Sequence, residues 1–279
     1  MRSYIQLGKP RIASLLIYTS LATYIYAKPG VDQWILLFFI GGLLTVFGSN
    51  AINSYIDREL DYTMLRTRFR PIPRGDITPS KAISIGIIWF TLGTTIITYF
   101  FGLYAGLAAL IGGLYYIIIY SIYLKKRTIW NTVIGGFAGS MPTITGWLAA
   151  GKPLSLEPVI LAIIVFLWTP GHFWSLAYKV KEEYMVVDLP MLPVVKDDRY
   201  TRKMIIVFYL LTLASMAVSI FIFEGLIYRI ATLTSIIFLA YAIHIIRVRF
   251  DKETAWRSFK ISSPILALLY TGLLIDGLI

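Results

Sequence analysis

Nine stretches of the chain are apolar with few interruptions: residues 12 to 28, 34 to 56, 80 to 101, 103 to 124, 129 to 150, 157 to 178, 202 to 223, 226 to 246 and 259 to 279. Each approaches the ~20 residues that a helix needs to cross the hydrocarbon core of a bilayer. The pattern predicts an all-α, polytopic membrane bundle of about nine transmembrane helices. No linker divides it, so a single membrane domain over residues 1–279 is expected.

The polar positions between the stretches set an orientation. If the stretches alternate across the bilayer with the amino terminus in the cytoplasm, 23 of the 26 Lys and Arg residues fall on the inner side, leaving Lys28, Lys152 and Arg229 outside. That split obeys the positive-inside rule and places the carboxyl terminus outside. Of the 15 acids, 11 share the inner side, so that face reads as a site as well as an anchor. No apolar run followed by a small-residue cleavage motif opens the chain, and the first stretch reads as an uncleaved anchor. The long inner connections after the second and sixth stretches both carry acids, which hints at an internal duplication.

Composition narrows the chemistry. Hydrophobic residues make up 57% of the chain, mean hydropathy is +0.72, and only 15% of residues are charged, so a soluble domain is excluded. The absence of cysteine removes disulfides, thiolate metal sites and thiol nucleophiles, and two histidines cannot build a multi-histidine metal centre. A net charge of +11 would suit nucleic acid, but no polar domain presents it, and membrane topology accounts for it instead.

The second stretch ends in Asn53-Ser-Tyr-Ile-Asp57-Arg-Glu-Leu-Asp61, with an amide and two carboxylates at successive i, i+4 positions on one helical face. Like charges at this spacing repel, and acids at the mouth of a membrane helix are functional candidates. Such an oxygen stripe suits Mg²⁺, usually held by one or two carboxylates, substrate phosphate oxygens and water. Arg66, Arg68, Arg70 and Arg74 follow, in a loop broken by Pro71, Pro73 and Gly75. Guanidinium groups bind phosphate oxygens bidentately, so metal plus diphosphate is the sharp reading. A solvated helix end is the plain alternative, and topology signalling explains Arg68 and Arg74 equally well.

A second polar seam closes the sixth stretch. If that helix persists, His172, Lys179 and Glu183 share a stripe, with Lys179 able to hold phosphate and Glu183 with Asp188 a second Mg²⁺. Surface pairing of Glu182 and Glu183 with Lys179 and Lys181 is the alternative. His172 is open between a hydrogen-bonded core residue and an acceptor-binding or haem-ligating one. Aromatics such as Tyr116 and Tyr120 suit cation-π stabilisation of an allylic cation, or ordinary belt packing. Gly135 and Gly139 offer a small-xxx-small surface or a gap for a planar substrate.

These residues carry a resemblance. Residues 53 to 79, NSYIDRELDYTMLRTRFRPIPRGDITP, resemble the first signature of the UbiA intramembrane prenyltransferase superfamily. LGKPRI at 7 to 12, NTVIGGFAGSMPTITGW at 131 to 147 and WTPGHFWSLAYKVKEEYMVVDLPMLPVV at 168 to 195 are similar to its protohaem IX farnesyltransferase branch. The resemblance implies a central cavity open toward the cytoplasmic side, in a protein of the cell membrane. It also implies Mg²⁺-dependent transfer of a farnesyl, or longer geranylgeranyl, group from its diphosphate to a vinyl of haem B, with addition of water, giving haem O. By position, Asn53, Asp57 and Asp61 would serve metal and diphosphate, joined by Glu183 and Asp188 at the metal. Arg66, Arg70 and Lys179 would contact phosphate, and His172 would stand near the acceptor; Asn53, Asp57, Asp61, Lys179 and Glu183 form the catalytic set. The second acidic motif departs from the superfamily's D-x-x-x-D, offering Glu182, Glu183 and then Asp188. The same machinery acting on a quinone precursor or a lipid is the nearest rival, and an ion-coupled transporter is the rival from another class.

Overall fold

The computed structural model describes residues 2–30 and 32–279, which contain helices and no strand. The long helices are α1 (Pro10–Ala27), α2 (Ile35–Ile56), α3 (Pro79–Phe101), α4 (Leu103–Leu124), α5 (Asn131–Ala149), α6 (Leu156–Lys179), α7 (Asp198–Ile222), α8 (Leu226–Val248) and α9 (Lys252–Asp276), the last interrupted around Ser263 and Pro264. By length and composition seven of them, α2 to α4 and α6 to α9, are able to cross a membrane. The other two are short and rich in small hydroxylated residues, because they are packed inward. Thr19, Ser20 and Thr23 of α1 and Ser140, Thr143 and Thr145 of α5 are buried. Where the helices cross, a Cβ on Gly146 would come within 2.1 Å of the Ser20 carbonyl oxygen. Their hydroxyls mostly return to their own backbone, as Thr23 Oγ1 does to the Thr19 carbonyl at 2.7 Å and Thr145 Oγ1 to the Met141 carbonyl at 2.9 Å, which satisfies them away from water.

Local signals fix the helix starts. Thr78 caps α3 ahead of Pro79, Asp197 accepts from the Tyr200 amide at the head of α7, and Asp251 forms a capping box with Thr254 at the head of α9. Helices α2 and α3 approach closely through glycine: a Cβ on Gly48 would stand 2.3 Å from the Phe90 amide nitrogen, and one on Gly93 2.4 Å from that of Thr45. The main apolar core lies among α6 to α9, around Trp174, Tyr209, Phe223, Tyr228 and Tyr270. The amino-terminal helices enclose a cavity instead.

Short helices Arg2–Leu7, Arg58–Thr63, Lys181–Val186 and Leu192–Val195 gather at the end of the bundle where the arginine loop lies. Contacts join the segments there: Ser3 to Asp76, Glu183 to the Arg66 amide, and Lys252 to Glu182.

Candidate active site

A cavity of about 370 Å³ runs down the inside of α1, α2, α4 and α5 from that polar end. Its mouth is built on the last turns of α2. Asp57 is the residue at which α2 ends, and the short helix Arg58–Thr63 continues from it; the Asp61 amide still donates to the Asp57 carbonyl at 2.9 Å. The i, i+4 register therefore survives the junction, and Asn53, Asp57 and Asp61 all line the cavity. The three side chains are buried.

Buried carboxylates need cations, and four basic side chains reach this cavity. Lys125 Nζ lies 2.5 Å from Asp57 Oδ2. Lys9 Nζ donates to Asn53 Oδ1, and Asn53 Nδ2 donates to Asp57 Oδ2 at 3.0 Å and to Ser121 Oγ at 2.8 Å. Arg70 Nη1 donates to both oxygens of Asp61, each at 2.8 Å. Arg66 also lines the cavity; its amide donates to Glu183 Oε2 at 3.3 Å and its guanidinium to Tyr184 Oη at 3.5 Å. Burial pushes the Asp57 carboxyl up, but the charges of Lys125 and Lys9 outweigh it and hold Asp57 below the ordinary carboxylate range. Burial lowers Lys9 to about 7, helped by Arg70 and opposed by Asp57 and Asp61.

Backbone geometry delivers the two lysines. Lys9 has a left-handed backbone, φ 52°, at the turn preceding Pro10, an uncommon conformation for a non-glycine residue. Within α4 the α-helix widens into a π-helix over Tyr115–Leu124. Its wider turns bring Tyr116, Tyr120 and Lys125 to the cavity, with the two tyrosine rings stacked at 5.8 Å. Ser121 Oγ donates to the Tyr116 carbonyl and accepts from Asn53, so the π-segment is tied to the acidic stripe.

The second expected seam is arranged differently. α6 ends at Lys179, and Val180 interrupts it before Lys181–Val186, so the stripe through His172, Lys179 and Glu183 does not persist. Lys179 lies 3.9 Å from Glu253, and Glu182 pairs with Lys252 at 2.5 Å. Glu183 meets the site through the Arg66 amide, while Asp188 is exposed on a left-handed turn, φ 49°. None of Lys179, Glu183 and Asp188 lines the cavity, and among the described residues no three acidic or histidine side chains converge on a common metal position. His172 faces away: its ring is sandwiched between Trp168 at 4.0 Å and Phe259 at 4.4 Å, and Nδ1 lies 2.8 Å from Ser262 Oγ. Thr169 and Phe173 are the residues of that helical turn that line the cavity. Arg68 stacks on Phe69, and Arg74 pairs with Asp76 outside the cavity. The sequence alone does not single out Lys9, Lys125 or Ser121, since both lysines equally satisfy membrane topology.

The donor set fits a hard divalent cation. Two carboxylates and an amide oxygen stand on one face, and positive charge already sits against each. A membrane helical protein with a buried, charged mouth over an apolar chamber is of the class that takes an amphiphile by its anionic head. The chain belongs to the UbiA prenyltransferase family, which matches residues 15–264. It is similar, at 38% identity over 99% of this chain and 89% of the relative, to a protein of Microcystis aeruginosa named protoheme IX farnesyltransferase. Its fold is similar to that of a digeranylgeranylglyceryl phosphate synthase, with a TM-score of 0.80, 21% identity, and 99% and 98% of the two chains covered. It is also similar in fold to a UbiA homologue of Archaeoglobus fulgidus bound to GPP and Mg²⁺, with a TM-score of 0.74, 16% identity, and 97% and 99% covered.

Proposed function

We propose that this prenyltransferase moves a farnesyl group from its diphosphate to a vinyl group of haem B, with water adding across the vinyl, to give haem O. The observation that carries the reading is the junction of the buried charged mouth with an apolar chamber in one continuous cavity. An anionic head and a hydrocarbon tail are the two halves of a ligand that fits it. The acceptor rests on the similarity to proteins named protoheme IX farnesyltransferase.

In this reading the diphosphate enters between Arg66, Arg70, Lys9 and Lys125. Its oxygens would take over the ammonium groups that Asp57 and Asn53 now engage, and would meet the part of the Arg70 guanidinium that does not bond Asp61. Asn53, Asp57 and Asp61 would hold Mg²⁺, which supplies charge neutralisation for the leaving diphosphate when bound. As the allylic carbon–oxygen bond breaks, the electron pair leaves with the diphosphate, and the four basic groups at the mouth would balance that charge. The rings of Tyr116 and Tyr120, which line the cavity, would stabilise the carbocation by cation–π attraction. The new carbon–carbon bond joins the allylic carbon to the terminal vinyl carbon, and water adds to the neighbouring carbon, losing a proton to solvent.

We place α1 and α5 in the membrane with the seven apolar helices, for nine spans, with the mouth at the cytoplasmic face of the cell membrane and the carboxyl terminus outside. The test is incubation of purified protein with haem B, farnesyl diphosphate and Mg²⁺. A new haem heavier by one farnesyl and one hydroxyl group is expected, whereas label transferred to a phenolic acid or a lipid and not to haem would overturn the acceptor assignment.

A further inference from the structure

The inner face of α2 is a continuous wall of the cavity, touching it at Asp57, Asn53, Val46, Gly42 and Phe38 among others. It changes from charged at the mouth to apolar at the far end. The wall therefore measures depth. At 1.5 Å of rise per residue, Gly42 lies ~16 Å beyond Asn53 and Phe38 ~22 Å beyond it. An isoprene unit, with four backbone bonds of about 1.5 Å each, extends ~5 Å, so a three-unit chain is ~15 Å long, whereas a four-unit chain of ~20 Å, with the ~4 Å of carbon contact beyond its last atom, overruns the level of Phe38.

Gly42 is also different in kind from its neighbours. Glycines 41, 48 and 93 have packing reasons for lacking a side chain: a Cβ on any of them would lie 3.0 Å or less from a residue of the facing helix. A Cβ on Gly42 would meet nothing within 4 Å, although the residue lines the cavity. Helix packing does not require glycine here. Below it the chamber is closed by Phe38, 2% exposed, whose ring stacks on Tyr24 at 4.9 Å and meets Phe101 at 5.2 Å. Tyr24 is itself pinned by a 2.8 Å hydrogen bond from its hydroxyl to Asp32, so this floor is rigid.

We propose that Gly42 is the specificity-determining position for prenyl chain length: its missing side chain leaves room for the third isoprene unit, and Phe38 is the stop that excludes a fourth. The proposal rests on the reading of the cavity as a prenyl diphosphate site, but not on the identity of the acceptor. Gly42→Leu projects a side chain into open space from a good helix former, so the fold is retained. Phe38→Ala lengthens the chamber.

The test is binding to the purified full chain with Mg²⁺, without acceptor, of geranyl, farnesyl and geranylgeranyl diphosphates, alongside inorganic pyrophosphate. Wild type should favour farnesyl. Gly42→Leu should lower the farnesyl-to-geranyl affinity ratio by ~tenfold or more while leaving pyrophosphate affinity unchanged, and Phe38→Ala should raise the geranylgeranyl-to-farnesyl ratio. Equal loss for all three lengths in Gly42→Leu, or an unchanged length order in both variants, overturns the assignment while leaving the site reading intact. Failure of wild type to bind any of the three removes the site reading and the assignment together. If Gly42→Leu does not purify as a folded protein, Gly42→Ala with Phe38→Ala decides by the same ratios.

Discussion

Lys125 Nζ and Asp57 Oδ2 stand 2.5 Å apart although 68 residues separate them, and Asn53 donates to the same carboxylate oxygen. The carboxylate is nearly inaccessible to solvent, so its charge is tolerated through these partners. Asp57→Asn keeps the shape and removes the charge that would hold the metal and release the lysines to the diphosphate. Turnover should fall by ~10² or more, with the helical circular dichroism signal and elution volume unchanged. Near-wild-type turnover in that variant would remove Asp57 from the reaction.

Arg70 grips Asp61 through a single nitrogen bonded to both carboxylate oxygens, and among the described residues the rest of its fork has no hydrogen-bond partner and can meet a phosphate. Lysine lacks the fork and cannot satisfy carboxylate and phosphate at once. Arg70→Lys should therefore raise KM for farnesyl diphosphate by ~tenfold, equivalent to about 1.4 kcal/mol, with a smaller change in kcat. Steady-state kinetics at saturating haem separate the two.

Lys9 provides a pH signature. Burial depresses its ammonium to about 7 in the folded protein from an ordinary value of 10.5. Between those values the unfolded chain binds the extra proton, so this group makes stability rise with pH across the window; below about 7 both states are protonated and its contribution is flat and unfavourable. Thermal melting in detergent from pH 6 to 10 should show a rise in wild type that is reduced in Lys9→Met. Parallel curves would mean that Lys9 is not buried as described.

The fold was legible because a bilayer demands helices of fixed length, and that demand is written directly in runs such as residues 34 to 56. The first half of the candidate site was legible for a related reason: Asn53, Asp57 and Asp61 are one turn apart, and that local spacing survives folding to bring all three to one cavity. Lys9 and Lys125 were not, since their partners lie 44 and 68 residues away and their charges also satisfy topology. Nor does the run Tyr115 to Leu124 announce a π-helix, whose widened turns aim Lys125. The expected stripe through Lys179 and Glu183 failed on one residue, Val180, where the helix ends without the glycine or proline that usually announces such an end.

The α2–α3 contact yields a stability prediction. Gly93→Ala would place a Cβ 2.4 Å from the Thr45 amide nitrogen and 2.6 Å from the Gly41 carbonyl oxygen, both backbone atoms that cannot swing aside. The helices must separate, at a cost of about 1–3 kcal/mol typical of overpacking, and melting should shift down by several degrees. Gly42→Ala, on the cavity face of the same pair, should melt as wild type does.

His172 decides between two readings of the sixth helix. Its ring is held between Trp168 and Phe259 with Nδ1 on Ser262, and the cavity-facing positions of that turn belong to Thr169 and Phe173. An imidazole so enclosed serves packing between α6 and α9, where a flat ring with one polar edge fills the slot. His172→Phe keeps the stack and loses the hydrogen bond, worth about 1 kcal/mol. The variant should therefore melt slightly lower yet retain most of its turnover and an unchanged KM for haem B. Phe173→Ala, which removes a ring from the cavity wall, should change the kinetics far more than the melt. If the order is reversed, with His172→Phe losing haem affinity at constant stability, then this turn of α6 rotates when the acceptor binds and the histidine belongs to the acceptor site after all.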